Sequence, residues 1–401
     1  MIEPAEAEKR LGYRVELRYE GKVKFYSPPL PSSKGYAPTS LPVFFNPVSK
    51  PNRDVTILFL ATYFEGKKAR MCEALAGTGV RSIRIAIETD VAEEIIANDI
   101  SNKAYELIKL NAELNGVEEI VKASNLDANE LLAMCGRGRP RYDYVDIDPA
   151  GSPAKFMENG FRGCGRGAIL GATATDMSAL AGTKVESCVR KYAAKSLRTP
   201  FSKELSLRIL TGFMVKTAAR LGLAATPLLS FQKDHYARVF VRVERGINPA
   251  KERLRKMGWI SYCPKCMAIY AKKWLEEPLT ICDICGSKID YAGPLWIGEL
   301  TDKEIAFKIF SRAYEDPEVY RESLKLLDAL RKEDTTLIGY FPVNVLAEKL
   351  KTSPIKPLKL IEGLKELGYR ATITHIDPSG IKTDAPPEVL DEVFRSIRAK
   401  T

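Results

Sequence analysis

From Ala69 to about Val243, short apolar or β-branched runs alternate with stretches of helical periodicity. The runs predict strands near residues 70–73, 94–98, 120–123, 142–147 and 167–173. Between the second and third of these, Ala104, Leu107, Ile108, Asn111 and Leu114 recur at the spacing of one helix face, and residues 81–87 read as helix after the first. Alternation of this kind argues an α/β domain with a doubly wound, largely parallel sheet. Residues 228–231 and 237–243 predict a closing antiparallel hairpin, joined through Gln232-Lys233-Asp234-His235-Tyr236.

The flanks follow different patterns. Residues 12–60 hold two strand-like runs, 13–17 and 22–26, then a Pro/Ser-rich stretch and Val43-Phe44-Phe45-Asn46-Pro47. That is too little apolar material for a separate core, so 1–60 is expected to pack on the catalytic domain at 61–245. After Arg245-Gly246 come a helix, a cysteine-rich segment, a Gly293-Pro294-Leu295-Trp296 turn, and helical periodicity to about residue 367. The run 346–369, followed by Tyr369-Arg370-Ala371-Thr372-Ile373 and Gly380-Ile381-Lys382-Thr383, suggests a winged-helix-like helix, helix and hairpin within a C-terminal domain at 246–401. No internal repeat is evident.

With 401 residues the chain predicts two or three domains. No run of about 18 apolar residues appears, and Met1-Ile2-Glu3-Pro4-Ala5-Glu6 has no basic-then-apolar signal, so the expectation is a cytoplasmic protein with no membrane partner. A formal net charge of +10 favours a polyanionic partner. Basic residues cluster at Arg137-Gly138-Arg139-Pro140-Arg141, at Arg190-Lys191 with Lys195 and Arg198, and at Lys349-Leu350-Lys351 with Lys356 and Lys359. One such cluster would be a solvated face; three point to a nucleic-acid surface.

The chemistry gathers at the predicted strand ends. Glu73 closes the first strand and is followed by Ala74-Leu75-Ala76-Gly77-Thr78-Gly79-Val80-Arg81. Gly77 and Gly79 let backbone approach a ligand, and the acid can receive an amino group. S-adenosylmethionine presents an ammonium where a dinucleotide presents pyrophosphate, so a strand-end carboxylate suits it better than a bare phosphate cradle. Leu75 departs from the usual glycine pattern of such turns. Twenty residues past Gly79, Asp99 ends the second strand where a ribose diol needs an acceptor. Asp127, after the third, can accept from an adenine amino group or cap the following helix. Asp148-Pro149-Ala150-Gly151 follows the fourth. Asp-Pro-x-Gly is ordinary turn chemistry, but at a strand mouth the Asp148 carboxylate and the Pro149 carbonyl can both accept from an exocyclic amino group. Asp146, His235, Phe44, Phe45 and Tyr236 read as structural residues.

Cysteine use divides in two. Cys72, Cys135, Cys164 and Cys188 are scattered among small or apolar neighbours and read as reduced thiols. Cys263, Cys266, Cys282 and Cys285 have the Cys-x2-Cys-x15-Cys-x2-Cys spacing of a four-thiolate zinc ribbon spanning about 260–291. A filled tetrahedron leaves no open position, so the ion would be structural; a disulfide pair or an iron centre is the competing use.

Taken together, several stretches resemble the tRNA guanine N2-dimethyltransferases that act at position 26, of archaeal type. They are Phe45-Asn46-Pro47, Asn52-Arg53-Asp54, the segment 74–81, Asn98-Asp99-Ile100-Ser101, Asp127-Ala128-Asn129, Asp146-Ile147-Asp148-Pro149 with Gly151-Ser152-Pro153, Thr173-Ala174-Thr175-Asp176, Lys233-Asp234-His235-Tyr236, Gly293-Pro294-Leu295-Trp296, and His375 with Gly380-Ile381-Lys382-Thr383. They run in order over nearly the whole chain. The resemblance implies a Rossmann-like class I S-adenosylmethionine methyltransferase domain and a C-terminal α+β, tRNA-binding domain. It also implies that Arg53 and Arg81 help hold the methionine end of the cofactor, Asp99 the ribose, and Asp127 with Ala128 the adenine, with Asp148 facing guanine N2. Where the family carries an aromatic residue after Asp-Pro, this chain has Ala150. Phe44, Phe45 and Tyr236 are the rings that could replace it.

The expected activity is therefore methyl transfer to the N2 amino group of guanosine 26 in tRNA, by a monomer carrying structural zinc. The alternatives are a paralogue acting on another tRNA nucleoside and a non-catalytic RNA-binding protein, which would not need all four acids. A nicotinamide dehydrogenase would use the glycine turn and Asp99 but has no use for Asp-Pro, a basic surface or a zinc ribbon.

Overall fold

The computed structural model describes residues 2–30, 41–137 and 140–400. Most of the Pro/Ser-rich stretch and Arg139 of the first basic cluster lie outside them. The chain forms two compact units, one of Met1–Pro149, Lys155–Ala172 and Phe307–Lys325, the other of Ala150–Ala154, Thr173–Ala306 and Leu326–Thr401.

The first unit opens with an antiparallel pair, β1 (Glu16–Glu20) and β2 (Val23–Ser27), turning at Gly21 with φ 60°. The first strand lies three residues later than the periodicity suggested. Residues Pro4–Leu11 are a helix capped by Gly12 in the left-handed region, and Tyr13 packs into a small core, so pairing begins only at Glu16. That core joins Ala7, Val15, Tyr26 and Val43 to Ala104, Leu107, Leu110 and Leu114 of the helix Asn102–Asn115. Asn111 of the same helix accepts from the Tyr26 N–H at 2.7 Å and donates to the Tyr26 carbonyl at 3.0 Å, satisfying edge backbone that would otherwise be buried unpaired.

The sheet of this unit comprises β3 (Ala69–Glu73), β4 (Ala92–Asn98), β5 (Val121–Ser124), β6 (Tyr142–Ile147) and β7 (Cys164–Ala174). Its order is β5-β4-β3-β6-β7, with every pair parallel. Every strand of the doubly wound sheet is thus where the alternation placed it. The chain winds outward from β3 to β5, then returns to start β6 on the other side of β3. The strand order therefore reverses between β3 and β6, the crevice where open α/β sheets bind ligands. Residues 307–325 also belong here: Ser323 donates to Asp54 at 2.8 Å, and Tyr320 to Glu88 at 3.1 Å.

In the second unit β8 (Leu223–Lys233) and β9 (Tyr236–Arg245) form the expected antiparallel hairpin, but its loop is only Asp234-His235. Lys233 pairs with Tyr236, and Asp234 takes φ 49°, a left-handed position that aspartate tolerates, so five loop residues contract to two. The strands β10 (Met257–Tyr262), β11 (Ile269–Lys273) and β12 (Asp290–Trp296) form an antiparallel sheet in the order β11-β10-β12. Gly293-Pro294-Leu295-Trp296 is not a turn but the end of β12. The proline, which lacks an N–H, is accommodated on an edge strand beside a register shift at Gly258/Ile260. Last come β13 (Phe341–Pro342), the helices Val343–Lys349 and Pro357–Glu366, β14 (Ala371–Ile373) and β15 (Gly380–Thr383), with sheet order β13-β15-β14.

A charged lock sits inside this unit. Fully buried Lys382 on β15 bridges Glu204 of the helix Ser202–Arg220 at 2.9 Å and Glu333 at 3.0 Å, and donates to the Leu337 carbonyl at 3.1 Å. Arg208 also pairs with Glu204, at 2.7 Å. Glu333 meets His375 Nδ1, while His375 Nε2 accepts from the Gln232 N–H at 3.2 Å.

Candidate functional site

The site grows from the turn after β3. Gly77 (φ 54°) and Gly79 (φ 74°) both take left-handed backbone, and a Cβ on Gly77 would lie 3.0 Å from the Phe44 carbonyl oxygen. Gly79 caps the helix Val80–Glu88, which brings Arg81 into its first turn. The Arg81 side chain is buried beneath the ends of the two strands at the reversal. Nη1 lies 3.2 Å from a Glu73 oxygen and 3.2 Å from an Asp146 oxygen, and Nη2 pairs with Asp148. Asp146 and Asp148 share a strand face through the period of two, so both reach the one guanidinium.

Three buried or half-buried carboxylates gather around Arg81, and the cost appears on Glu73. Burial pushes its carboxyl up to about 7, and Asp146 and Asp148 push the same way, against the pull of Arg81 and of the Ser82 hydroxyl donating at 2.6 Å. The Tyr144 hydroxyl donates to buried Asp146, which makes Asp146 a supporting member of the cluster. Asp148 is the member with access to solvent, its side chain 20% exposed.

The acids after β4 and β5 complete a row along the strand ends. One Asp99 oxygen accepts from the Gly77 N–H at 3.0 Å and the other from Ser101 N–H at 2.9 Å, fixing the glycine turn against the end of β4. Asp127 caps the helix Ala128–Ala133 through Oδ1 alone, accepting from Asn129 and Glu130 N–H, so capping does not consume its second oxygen. Ala128 is buried at the start of that helix.

Arg53, expected by resemblance near the methionine end of the cofactor, meets the N-terminal strand pair. Its guanidinium is buried in a bidentate pair with Glu20 (2.6 and 2.5 Å), donates to the Asn46 carbonyl, and lies 5.2 Å from the Phe45 ring centre. Burial pushes Glu20 up, but Arg53 and Arg84 together hold it down at about 2. The structure thus joins Arg53 to the N-terminal pair and gives it no contact with the Arg81 cluster among the described residues. Two positioning residues escaped sequence reading. Glu20 closes β1, three residues past the end of the run 13–17 that reads as strand. Buried Asn98 donates to the Ala74 and Leu126 carbonyls at 3.0 Å each and accepts from the Leu126 N–H, bracing the ends of β3, β4 and β5; its place beside Asp99 was the available signal.

The candidate rings separate cleanly. Phe45 is 5% exposed and packs edge-on to Phe25, and Tyr236 is 1% exposed against Phe231. Phe44 is 44% exposed, beside the glycine turn. In the second unit, the loop after Pro149 is held by Gly151 N–H donating to Thr175 at 2.7 Å and by Ser152 donating to Tyr192, which donates in turn to Asp176.

Cys263, Cys266, Cys282 and Cys285 converge, all four sulfurs within 4.8 Å of one another. The two knuckles come from the ends of the β10–β11 connection and from the loop before β12, closing on Met267 and Gly286, both in left-handed backbone. Four thiols at this spacing fit a tetrahedral zinc ion. The other four cysteines, Cys72, Cys135, Cys164 and Cys188, are buried.

A parallel sheet with its reversal at a glycine turn, and acids at four strand ends, defines a Rossmann-like α/β domain of the methyltransferase class. The chain belongs to the N2,N2-dimethylguanosine tRNA methyltransferase family, whose model matches residues 21–395. It is 37% identical to the tRNA (guanine(26)-N(2))-dimethyltransferase of Pyrococcus furiosus over 94% of this chain and 97% of that one. With the enzyme of the same name from Saccharolobus solfataricus it shares 36% identity over 94% of this chain and 98% of the relative. Among solved structures, Trm1 from Pyrococcus horikoshii in complex with S-adenosyl-L-methionine aligns with a TM-score of 0.80 and 32% identity, covering 94% of this chain and 99% of that one. Among the described residues no helix is long and apolar enough to cross a membrane.

Proposed function

We propose that this protein transfers methyl groups from S-adenosylmethionine to the N2 amino group of guanosine 26 in tRNA, giving N2,N2-dimethylguanosine. The observation that carries the reading is the acidic row at the strand reversal, with Asp148 as its solvent-reaching end. The bound cofactor supplies a sulfonium-activated methyl group. The residues present fit it: Glu73 in the negative cluster suits an ammonium, Asp99 a ribose diol, and the second oxygen of Asp127, with Ala128, an adenine edge. Gly77 and Gly79 keep the approach free of side chains, and Arg81 sets the carboxylates in place. Arg53 would act at one remove, fixing the Asn46-Pro47 turn and with it Phe44.

Guanine N2 is a poor nucleophile because its lone pair is delocalised into the ring. Asp148 accepts a hydrogen bond from N2–H, orients the lone pair, and receives the proton directly or through water. The Pro149 carbonyl accepts from the second hydrogen. The base must leave its stack to reach this position, and Phe44 is the ring available to hold it in the place of the aromatic absent at Ala150. The second methylation requires the monomethylated amine to rotate and present its remaining hydrogen to the same acceptors.

In this reading 1–60 steadies the catalytic domain at 61–245. The zinc ribbon and the winged-helix-like segment of 246–401 hold tRNA, which the +10 charge favours, and the protein acts as a cytoplasmic monomer. Mass-spectrometric mapping of methylated nucleosides, after incubation with a tRNA transcript and with the same transcript carrying adenosine at position 26, tests the proposal. Methylation confined to the first supports it; equal labelling of both refutes the position.

A further inference from the structure

The second basic cluster of the sequence is not uniform. Lys191 is paired with Asp176 at 2.8 Å, and Lys195 is paired with Asp290 while lying over the Tyr291 ring at 4.5 Å. Arg198 is exposed and has no hydrogen bond or ion pair among the described residues. It lies in the connection that leads into the helix Ser202–Arg220, and Lys195 of that connection exchanges backbone hydrogen bonds with Gly293 of β12 at 2.7 and 2.8 Å. The connection is therefore fastened to the cysteine ribbon within the same unit.

Beside this junction lies a cavity of about 520 Å³, lined by Leu197, Arg198, Tyr262, Pro264, Lys288 and Asp290 among others. Lys288, like Arg198, is exposed and without a described partner. Asp290 is neutralised by Lys195, so the groove presents two uncompensated cations over an apolar wall. Tyr262 is a rigid part of that wall, 8% exposed and edge-on to Phe201 at 5.5 Å. The volume is in the range of small-ligand sites, about 300–1,000 Å³. Pro264 sits inside the first cysteine knuckle, and Ile289, behind Lys288, donates its N–H to the Thr280 carbonyl at 2.9 Å across the second.

We propose that this groove is an RNA backbone subsite, in which Arg198 and Lys288 hold a phosphodiester of the bound tRNA and the wall receives the attached nucleoside. The inference rests on the tRNA reading and adds a location to it. A fork-shaped guanidinium and a point ammonium lining one groove suit phosphate oxygens, and cations without carboxylate partners can replace condensed counterions. The zinc-bound knuckles then act as the frame of an anion site as well as a brace for the fold.

The test measures tRNA binding to the zinc-loaded protein as a function of salt, without cofactor, for wild type and for Arg198→Ala/Lys288→Ala. Removing two phosphate contacts should lower the slope of log K against log salt by roughly 1.5. It should also raise the tRNA KM about tenfold at fixed salt, while kcat, S-adenosylmethionine affinity and zinc content stay at wild-type values. An unchanged slope overturns the proposal. So does an equal drop in a charge-matched control, Arg190→Ala/Lys359→Ala, because the whole basic surface would then be responsible. Failure of wild-type protein to methylate guanosine 26 would overturn the enzymatic reading alone, since binding is measured separately.

Discussion

Each unit of this molecule buries charge, and the cluster around Arg81 in the first is built on the opposite principle to the cluster around Lys382 in the second. In the second unit two carboxylates, Glu204 and Glu333, share two cations, Arg208 and Lys382. Burial pushes both acids up, but Lys382, with Arg208 at Glu204 and His375 at Glu333, holds both below the usual carboxylate range. In the first unit three carboxylates gather around Arg81, and Glu73 is left with its carboxyl pushed up to about 7. Acids held below their usual range are satisfied without a ligand. A buried carboxyl held up near 7 still gains from a further positive charge, and S-adenosylmethionine brings an ammonium and a sulfonium. The direction of the shift thus marks the site more clearly than burial, which both clusters share.

The contrast breaks most sharply at the two ends of the comparison. Asp148→Ala should lower methyl incorporation into tRNA on the order of 10³-fold, the loss expected for a proton acceptor at the reacting atom. Affinity for S-adenosylmethionine, measured by calorimetry, should stay within a few-fold. Near-normal turnover would show that this carboxylate is not the N2 partner. Lys382→Met acts on the balanced cluster and should reverse the pattern. Stranding two buried carboxylates should cost about 3 kcal/mol or more of stability, read by denaturant unfolding, with little change in cofactor affinity at a temperature where the fold persists. A fully stable Lys382→Met would mean that the lock contributes nothing.

A smaller effect is expected at Phe44. If its ring holds the extruded guanine, Phe44→Ala should reduce turnover by an amount corresponding to about 1–3 kcal/mol of base stacking, and Phe44→Tyr should restore most of it. Equal activity of Phe44→Ala and wild type would return the question of what replaces the aromatic at Ala150. A loss that Phe44→Tyr fails to restore would assign the position to packing.

The strand ends were legible because period and chemistry coincide there. Each parallel strand is a short apolar run that stops at an acid, so Glu73, Asp99, Asp127 and Asp148 could be read from the chain, and the cysteine spacing named its own geometry. What escaped depends on contacts between distant segments. Nothing in Asn52-Arg53-Asp54 indicates that Arg53 pairs with Glu20, 33 residues earlier. Nor could the residues around Gly293-Pro294 be told from a turn, since a proline at a sheet edge and a proline in a loop look alike until the neighbouring strand is known. The choice of Phe44 over Phe45 is of the same kind, because two adjacent aromatic residues have no periodicity that says which one faces solvent.

The finest test of the raised Glu73 carboxyl is the pH dependence of cofactor binding. With its carboxyl held near 7, Glu73 is largely protonated below that pH, and an incoming ammonium favours the ionised form. Binding must then release a proton. Affinity for S-adenosylmethionine should therefore rise with pH, by up to about tenfold per unit between pH 5.5 and 7, and level off above 7 as the group ionises unaided. Glu73→Gln should bind more weakly at pH 8 and show little of this slope. The folded state should respond with the opposite sign: a raised carboxyl pKa favours the protonated native form, so the stability it contributes in acid is lost as pH rises from the usual carboxylate range through 7. Bound cofactor should offset that loss by placing a positive charge beside the ionised carboxylate. An affinity that is flat across this range, with wild type and Glu73→Gln indistinguishable, would show that the ammonium is held elsewhere and that the carboxylates around Arg81 serve only to orient Asp148.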